Sequence, residues 1–419
     1  MRLFFLSLLL LGGHLRAQLA IEIIGVGANQ LPIAIVPFAG EMAFPLGITG
    51  IIENDLKRSG LFKSIEVKGA PRPSRPEEVL AADWVRRGAE TAVVGSMSPA
   101  ANGKVDVRFY LVDVVKQQQL LGFAYSVSTQ EFRALAHRIA DLIYEKLTGD
   151  KGVFASKIAY ISKAGRTYRL HVADADGDNA QTVLTSSDPL ISPVWSPNGN
   201  ELAFVSFETQ KPVIYIQNLA TGQKRTLTHF RGSSSAPAWS PDGRRLVFAS
   251  SMDGPTQLYL IQADGTGLRR LSSSGAIDTN PAFMPDGNSL LFTSDRGGSP
   301  QIYRLSLHNN AVERLSFDGA YNAAAKPSPD GKSFVYIRRE GSREMIAIQD
   351  FATRQTQVLT QGPVDESPSF APNGKMIVYA SAGAGRGILS AVSSDGRIKQ
   401  NLSSPGVNIR EPAWGPMTQ

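Results

Sequence analysis

The most regular feature of the chain is a short apolar run that recurs through its C-terminal part. Copies of the run lie at residues 158–162, 202–206, 246–250, 290–294, 334–338 and 377–381. Apolar runs of this length, bounded by turn residues, are typical of strands that are buried on both faces. A second apolar run and a short last run follow each copy, for example at residues 257–261 and 268–271. Together with one strand ahead of the apolar run, the pattern predicts four strands per repeat.

Most of these runs are preceded by a sequence motif that combines proline, an aromatic residue and an Asp-Gly or Asn-Gly turn. The second copy reads Pro-Ala-Trp-Ser-Pro-Asp-Gly over residues 237–243. The copies begin at Pro193, Pro237, Pro281, Ala325, Pro368 and Pro412, with spacings of 44, 44, 44, 43 and 44 residues. A period of about 40 to 50 residues is typical of β-propeller blades. A propeller usually serves as a platform for binding, so its surface is the expected functional region.

The two ends of the repeat region complement each other. The apolar run at 158–162 has no motif strand before it, that is, no strand to form the inner edge of a blade. The last motif, around Trp414, has no strands after it. We predict that these two fragments form one blade, which closes the ring and leaves no open edge. Residues 157–419 number 263, close to six repeats of 44. The predicted fold class is therefore an all-β six-bladed β-propeller, preceded by a small α/β domain.

Residues 18–150 lack this period and have the mixed pattern of the small α/β domain. Strands are expected at residues 33–38 and 91–94, and as a hairpin formed by residues 105–112 and 119–128. Helices are expected at residues 46–58, 77–87 and 131–147, where apolar residues recur at helical spacing. The two glycines within residues 148–156 mark the expected connector to the propeller at 157–419.

The first seventeen residues predict an export signal. Arg2 precedes an apolar stretch at residues 3–11, which is far shorter than the ~20 residues that span a bilayer. Cleavage after Ala17 is preferred, and cleavage after Ala20 is the weaker alternative. The sequence contains no cysteine, so thiol chemistry and disulfides are excluded. We therefore expect a soluble mature protein outside the cytoplasm.

Composition and motifs give little support for nucleic-acid binding or for catalysis. The formal charge is +6, but no run of Lys or Arg exceeds two residues, which argues against a nucleic-acid interface. Residues 174–178 resemble the start of a calcium loop, but Thr185 stands where a bidentate carboxylate is needed. That segment is therefore expected to be a hairpin turn. No Gly-x-Ser-x-Gly motif is present, and the five histidines are scattered.

We therefore predict no catalytic residues, no metal and no cofactor. The alternative is a periplasmic propeller enzyme, either a hydrolase or a polysaccharide lyase. Such an enzyme requires clustered histidines or carboxylates in the propeller channel.

Polar residues lie just before the predicted inner strands and form the candidate partner-binding site. In a closed ring the six preceding loops converge on one mouth of the central channel, which makes a docking face. The predicted rim residues are Asp188, His229, Arg231, Ser234, Asp278, Asn280, Asn322, Asp365, Glu366, Asn408, Arg410 and Glu411. The alternative interpretation is that each of these residues is a solvated loop residue without a binding role. The aromatic residues of the repeated motif are expected to pack between blades instead.

A second candidate site is an apolar arm at residues 18–30, which begins the mature chain. Its first seven residues are β-prone and lack helix signals: Gln18, Leu19, Ala20, Ile21, Glu22, Ile23 and Ile24. The flexible Gly25 and Gly27 follow. Such an arm can add as a strand to the sheet of a partner. The alternative is that it folds back onto its own α/β domain.

The combination of these features resembles the TolB family, periplasmic components of the Tol-Pal system of Gram-negative bacteria. The resemblance rests on the export signal, the α/β domain, the Lys-Leu-Thr-Gly connector at 146–149 and the six repeats closed by Trp414. Two departures are Pro327, in place of an aromatic residue, and the missing Asp-Gly turn of the last repeat.

The resemblance implies a monomeric, non-catalytic adaptor that supports outer-membrane integrity and envelope constriction during cell division. It implies binding of the lipoprotein Pal at the propeller mouth and of TolA at the arm. Contact with the membrane is expected only through these partners. Joint replacement of Asp365 and Glu366 by alanine is then predicted to weaken Pal binding.

Overall fold

The computed structural model describes residues 21–23, 30–383, 386–402 and 408–417. The predicted export signal at 1–17 therefore lies outside the described residues, as do Gln18, Leu19, Ala20 and Ile24 of the arm. The described chain forms one α/β domain and a ring of six antiparallel sheets. No helix in these described ranges is long and apolar enough to cross a membrane.

The α/β domain is a five-stranded mixed sheet with helices on its faces. Its elements, with the preceding arm strand, are β1 (Ile21–Ile23), β2 (Leu31–Ile35), α1 (Thr49–Arg58), β3 (Phe62–Ser64), α2 (Ala81–Val85), β4 (Thr91–Pro99), β5 (Val105–Asp113), β6 (Gln118–Val127) and α3 (Phe132–Thr148). Short 3₁₀ turns lie at Glu41–Ala43, Pro76–Glu78, Ala101–Gly103 and Thr129–Glu131. The strand order is β3-β2-β4-β5-β6, and β2 runs parallel to both β3 and β4.

The core of this domain follows from the predicted amphipathic helices. α1 and α3 bury their apolar faces against one side of the sheet, where Ile52, Phe109 and Ile139 are fully buried. Trp84 of α2 fills the opposite side. The predicted helix at 77–87 is wrong in its extent: a 3₁₀ turn and α2 stand there, separated by Leu80 in an extended conformation.

The propeller strands are short and follow the predicted order within each repeat. They are β7 (Lys157–Ala164), β8 (Thr167–Asp174), β9 (Gln181–Ser186), β10 (Leu190–Trp195), β11 (Glu201–Ser206), β12 (Val213–Asn218), β13 (Lys224–Thr226), β14 (Ser234–Trp239), β15 (Arg245–Ser250), β16 (Gln257–Gln262), β17 (Arg269–Arg270), β18 (Asp278–Phe283), β19 (Ser289–Ser294), β20 (Gln301–Ser306), β21 (Val312–Arg314), β22 (Tyr321–Pro327), β23 (Ser333–Glu340), β24 (Arg343–Asp350), β25 (Thr356–Val358), β26 (Asp365–Phe370), β27 (Met376–Gly383), β28 (Arg386–Ser393), β29 (Ile398–Asn401) and β30 (Asn408–Trp414). Blades 1 to 5 begin with β10, β14, β18, β22 and β26, and blade 6 has the order β30-β7-β8-β9.

The ring is closed by the C-terminal strand, as the two complementary ends of the repeat region predicted. β30 pairs antiparallel with β7, so that Trp414 lies opposite Ile158 and Ala413 opposite Ala159. The six-bladed fold class is therefore confirmed. The motif aromatics lie in the apolar clusters between blades, as predicted. Trp239 packs with blade 1 residues and Phe283 packs with blade 2 residues.

The arm strand β1 joins the propeller and not the α/β domain. Ile21, Glu22 and Ile23 pair antiparallel with Gln400, Lys399 and Ile398, so β1 is the fifth strand of blade 5. The alternative that the arm folds back onto its own α/β domain is thus wrong for these three residues. The pairing covers an outer strand edge that blade 5 would otherwise expose.

Candidate functional site

The inner strands that surround the channel share an irregularity. Each pairing between an inner strand and its neighbour has a register shift, for example between Ser235 and Ala238 and between Arg410 and Ala413. One residue of each inner strand has a left-handed backbone conformation, with φ between 49° and 56°: Ser192, Ala236, Asn280, Ala324, Ser367 and Glu411. Residues other than glycine seldom adopt this conformation, and such positions cluster at functional sites. These bulges were not visible in the repeat pattern.

The predicted rim residues divide into three groups by exposure. His229, Arg231 and Arg410 are exposed. The half-buried members are Asp188, Asn280, Glu366, Asn408 and Glu411, and the buried members are Ser234, Asp278, Asn322 and Asp365. The first two groups are available to a partner, whereas the buried group serves to hold the loops.

Two buried carboxylates illustrate how the loops are held. Asp278 has no exposed surface and accepts two hydrogen bonds of 2.9 Å from the guanidinium of Arg296. Asp365 accepts a 2.6 Å hydrogen bond from the Ser381 hydroxyl and a 3.1 Å bond from the backbone N–H of Gly362. Replacing Asp365 would therefore alter the loop itself, so the predicted joint replacement with Glu366 does not test partner contact alone.

Two half-buried glutamates lie on the inner strands of blades 5 and 6. Glu411 accepts a hydrogen bond from the backbone N–H of Ser192 on the next blade. Burial raises the pKa of Glu411, the hydrogen bond from Ser192 opposes this shift, and the nearby Glu366 carboxylate raises the pKa further. Burial likewise raises the pKa of Glu366. The mouth therefore combines exposed cations with carboxylates that are partly shielded from water.

Sequence reasoning restricted to polar residues missed two apolar ones on the same loops. Ile277 immediately precedes β18 and is 51% exposed, and Phe317 precedes β22 and is 58% exposed. Arg314 and Arg354 lie over the Phe317 ring, with distances of 5.1 and 5.8 Å from the guanidinium carbon to the ring centroid. Large exposed apolar side chains within a polar rim are typical of protein-binding surfaces.

A second polar centre joins the α/β domain to the propeller. Arg133 of α3 donates from Nε to Asp174 at 2.8 Å and from Nη2 to Asp176 at 2.6 Å. Asp174 is the last residue of β8 and Asp176 lies in the β8–β9 turn, within the segment where the sequence predicted a turn. Lys157 also pairs with Asp174. Burial raises the pKa of Asp174, but hydrogen bonds from His137, Lys157 and Arg133 outweigh burial and hold this pKa well below its usual range. No sequence motif indicated that this segment would contact the other domain.

His137 extends this centre to α1. Its Nδ1 lies 2.6 Å from Asp55 Oδ2, and its Nε2 lies 3.6 Å from Asp174 Oδ2. Burial opposes the charged imidazole, but the carboxylates of Asp174 and Asp55 outweigh burial and raise the pKa of His137 to about 9. The histidine is therefore protonated at neutral pH and takes part in the ionic contact between the domains.

This raised pKa predicts that alkaline solution weakens the folded protein. The contribution of His137 is fully present below its unfolded pKa of 6.5 and is lost as pH rises through about 9. A shift of this size corresponds to a loss of up to about 3 kcal/mol of unfolding free energy by about pH 10. Urea unfolding between pH 6 and 10 measures it. A His137→Gln variant should lack this component, and identical pH profiles for both proteins would contradict the assignment.

The same centre has the geometry that a metal ion needs. Asp55, His137 and Asp176 each place a donor atom within 4.8 Å of the others. However, Asp55 is already paired with Arg58, and Asp176 with Arg133. Two guanidinium groups beside the donors repel a cation, so we assign these residues to ion pairing between the domains.

One Ser-His contact bears on the enzymatic alternative. Ser162 Oγ lies 2.8 Å from His171 Nε2, and Thr182 Oγ1 lies 3.2 Å from His171 Nδ1. A hydroxyl thus takes the position that a carboxylate holds in a catalytic triad. Ser162 is only 5% exposed. The contact therefore gives the enzymatic alternative no support.

The comparisons with known proteins agree on one family. Residues 144–418 match the family model described as the TolB beta propeller domain, and residues 19–120 match the TolB amino-terminal domain. The chain is 61% identical to the Tol-Pal system protein TolB of Nitrosomonas europaea, covering 98% of this chain and 97% of the relative. It is 62% identical to that of Methylobacillus flagellatus, covering 99% and 98%. The crystal structure of TolB from Acinetobacter baumannii superposes with a TM-score of 0.87 at 42% identity, covering 95% and 100%.

Proposed function

Because the chain belongs to the TolB family and thereby to the Tol-Pal system, we propose that it is a non-catalytic periplasmic adaptor with two partners. It binds the lipoprotein Pal through the propeller mouth and TolA through the arm. In this role it links the inner-membrane machinery to the outer membrane, supporting envelope integrity and constriction during cell division. An export signal at residues 1–17 delivers it to the periplasm.

The closed ring is the observation that carries the Pal-binding proposal. Closure by β30 completes the ring, in which the described loops before β10, β14, β18, β22 and β26 lie at one mouth together with the start of β30. That mouth offers the exposed charges of Arg231 and Arg410 together with the apolar Ile277 and Phe317. A rim of charge around exposed apolar side chains suits a specific protein partner.

The position of β1 supports the proposal for TolA. Three arm residues are held to blade 5 by strand pairing, which depends on backbone groups that any edge strand can supply. The arm can therefore leave blade 5 and pair with the sheet of a partner. The arm thus has two states, docked on blade 5 and released. If Pal binds one of these states more tightly, Pal binding shifts the population toward that state.

The Pal-binding proposal is tested by replacing two exposed rim cations. We expect Arg231→Ala with Arg410→Ala to weaken Pal binding by about 1 kcal/mol or more, because both charges face the proposed partner. Isothermal titration calorimetry measures the affinity. The matched control is Arg244→Ala with Lys332→Ala, which removes two exposed charges from turns at the opposite ends of the inner strands. Equal losses in both double variants would contradict a site at the mouth.

The TolA-binding proposal is tested by removing the arm. A mature chain without residues 18–30 should bind Pal but should fail to recover TolA in a pull-down from solubilised envelopes. Recovery of TolA at the level of the full-length mature chain would show that the arm is not the binding segment. Retained Pal binding serves as the control for folding.

A further inference from the structure

The sequence contains three Asn-Gly pairs, which begin at Asn102, Asn198 and Asn373. Asparagine is a thermolabile residue, because the backbone nitrogen of the next residue can attack its side-chain amide and release ammonia. Glycine at the next position favours this attack, since it has no side chain to hinder the approach and leaves the backbone free to rotate. The three pairs therefore share one reactive chemistry, and their surroundings decide which of them reacts.

The pair at Asn198 is held in the motif turn of blade 1. Asn198 Oδ1 accepts a 2.7 Å hydrogen bond from the Ser196 hydroxyl and a 3.0 Å bond from the backbone N–H of Asn200. The N–H of Gly199, whose nitrogen would be the attacking atom, donates to the carbonyl oxygen of Ser196 at 2.9 Å. Attack at this pair requires these hydrogen bonds to break.

The pair at Asn373 is held in the same way in the motif turn of blade 5. Asn373 Nδ2 donates to the carbonyl oxygen of Lys151 at 2.8 Å, and its Oδ1 accepts a 3.0 Å bond from the N–H of Lys375. The N–H of Gly374 donates to the carbonyl oxygen of Ala371 at 2.8 Å. Both ends of the side-chain amide are therefore fixed.

The pair at Asn102 lies in the turn between β4 and β5, and both of its residues are exposed. Asn102 and Gly103 have left-handed backbone conformations, with φ of 61° and 71°, as is usual for these two residue types in tight turns. The side-chain amide of Asn102 makes no hydrogen bond within the part of the chain that the structure describes. Exposure alone does not distinguish the pairs, because Asn198 is exposed as well. Hydrogen bonding of the side-chain amide does.

We propose that Asn102 is a site of spontaneous deamidation in the folded protein. The backbone nitrogen of Gly103 forms a bond to Cγ of Asn102, and the side-chain nitrogen leaves as ammonia with the proton of the Gly103 amide. Water then opens the resulting succinimide at either of its carbonyl carbons, which gives aspartate or isoaspartate. Each product places a new negative charge beside Lys104. This site goes beyond the proposed adaptor function and does not depend on it.

Peptide mapping by mass spectrometry, after the mature protein has been incubated at mildly alkaline pH, tests the proposal. Trypsin releases Asn102 in peptide 88–104 and Asn373 in peptide 355–375. We expect Asn102 to deamidate about tenfold or more faster than Asn198 and Asn373, because attack at those two must first break two or more hydrogen bonds of about 1 kcal/mol each. Incubation in ¹⁸O-labelled water distinguishes deamidation during the incubation from deamidation during the digest.

The same protein in urea is the matched control, because the turns are then unfolded and the three pairs should deamidate at similar rates. Ser196→Ala removes the 2.7 Å hydrogen bond to Asn198, so it should raise the rate at Asn198 but not at Asn102. Equal rates at the three pairs in the folded protein would overturn the proposal. A rate at Asn102 that rises in urea as much as the rates at the other two pairs would overturn it as well.

Discussion

A chain that ends at residue 402 is expected to lose the cooperative unfolding of the propeller. The truncation removes β30, the inner strand of blade 6, and leaves β7 as an open edge. It also removes the buried Ile409 and the carbonyl oxygen of Ala413, which accepts a 3.0 Å hydrogen bond from Trp195 Nε1 of blade 1. We expect the loss to be about 5 kcal/mol or more, comparable to the whole stability of many domains.

Scanning calorimetry and near-ultraviolet circular dichroism of the truncated and full-length mature proteins measure this effect. The matched control ends at residue 417 and should unfold like the full-length chain. A truncated protein that kept a single sharp transition at the original temperature would show that β30 is dispensable for the ring.

The second large effect is expected from Arg133→Met, which removes the central cation of the domain interface. Asp174 keeps Lys157 and His137 as partners, but Asp176, with 13% of its side chain exposed, loses its 2.6 Å ion pair and keeps only the 3.9 Å contact with His137. Breaking a buried ion pair on one side costs about 3 to 5 kcal/mol. We therefore expect the two domains to unfold separately in calorimetry, with the α/β domain unfolding at the lower temperature.

Two further variants distinguish the ion pair from a general effect on α3. Arg138→Met alters an exposed arginine of the same helix and should leave the transition unchanged. Adding Asp176→Asn to Arg133→Met should restore part of the loss, because the unpaired charge is then removed. If Arg138→Met and Arg133→Met behaved alike, the interface would not depend on this contact.

The propeller was predictable because its signals are local and repeated. Each apolar middle strand and each Asp-Gly turn recurs at a fixed offset, so six weak signals support one another. Closure followed from the two incomplete repeats, around Ile158 and Trp414. The α/β domain lacks such repetition, and there the short β3 was missed and the helix at 77–87 was drawn too long. Three-residue strands carry too few positions for periodicity to identify them.

The sequence predicted where the candidate site lies, but not which of its side chains are exposed. The sequence placed Asp278, Asp365, Asn322 and Ser234 in the loops before the inner strands, whereas the structure places them on the inner strands β18, β26, β22 and β14, with their side chains buried. Their burial depends on partners elsewhere along the chain, such as Arg296 for Asp278. The contact of Arg133 with the β8–β9 turn was likewise invisible, because it joins two separately folded units. Contacts of this kind depend on tertiary geometry that no local pattern records.

Hydrogen–deuterium exchange of the mature protein with and without Pal tests the central claim most directly. We expect Pal to protect the loops before the inner strands, at residues 187–189, 227–233, 271–277, 315–320 and 359–364. The turns at 240–244, 284–288 and 328–332 lie at the other ends of the inner strands and should exchange at unchanged rates. Protection of those turns, with unprotected rim loops, would contradict a docking face at the mouth of the ring.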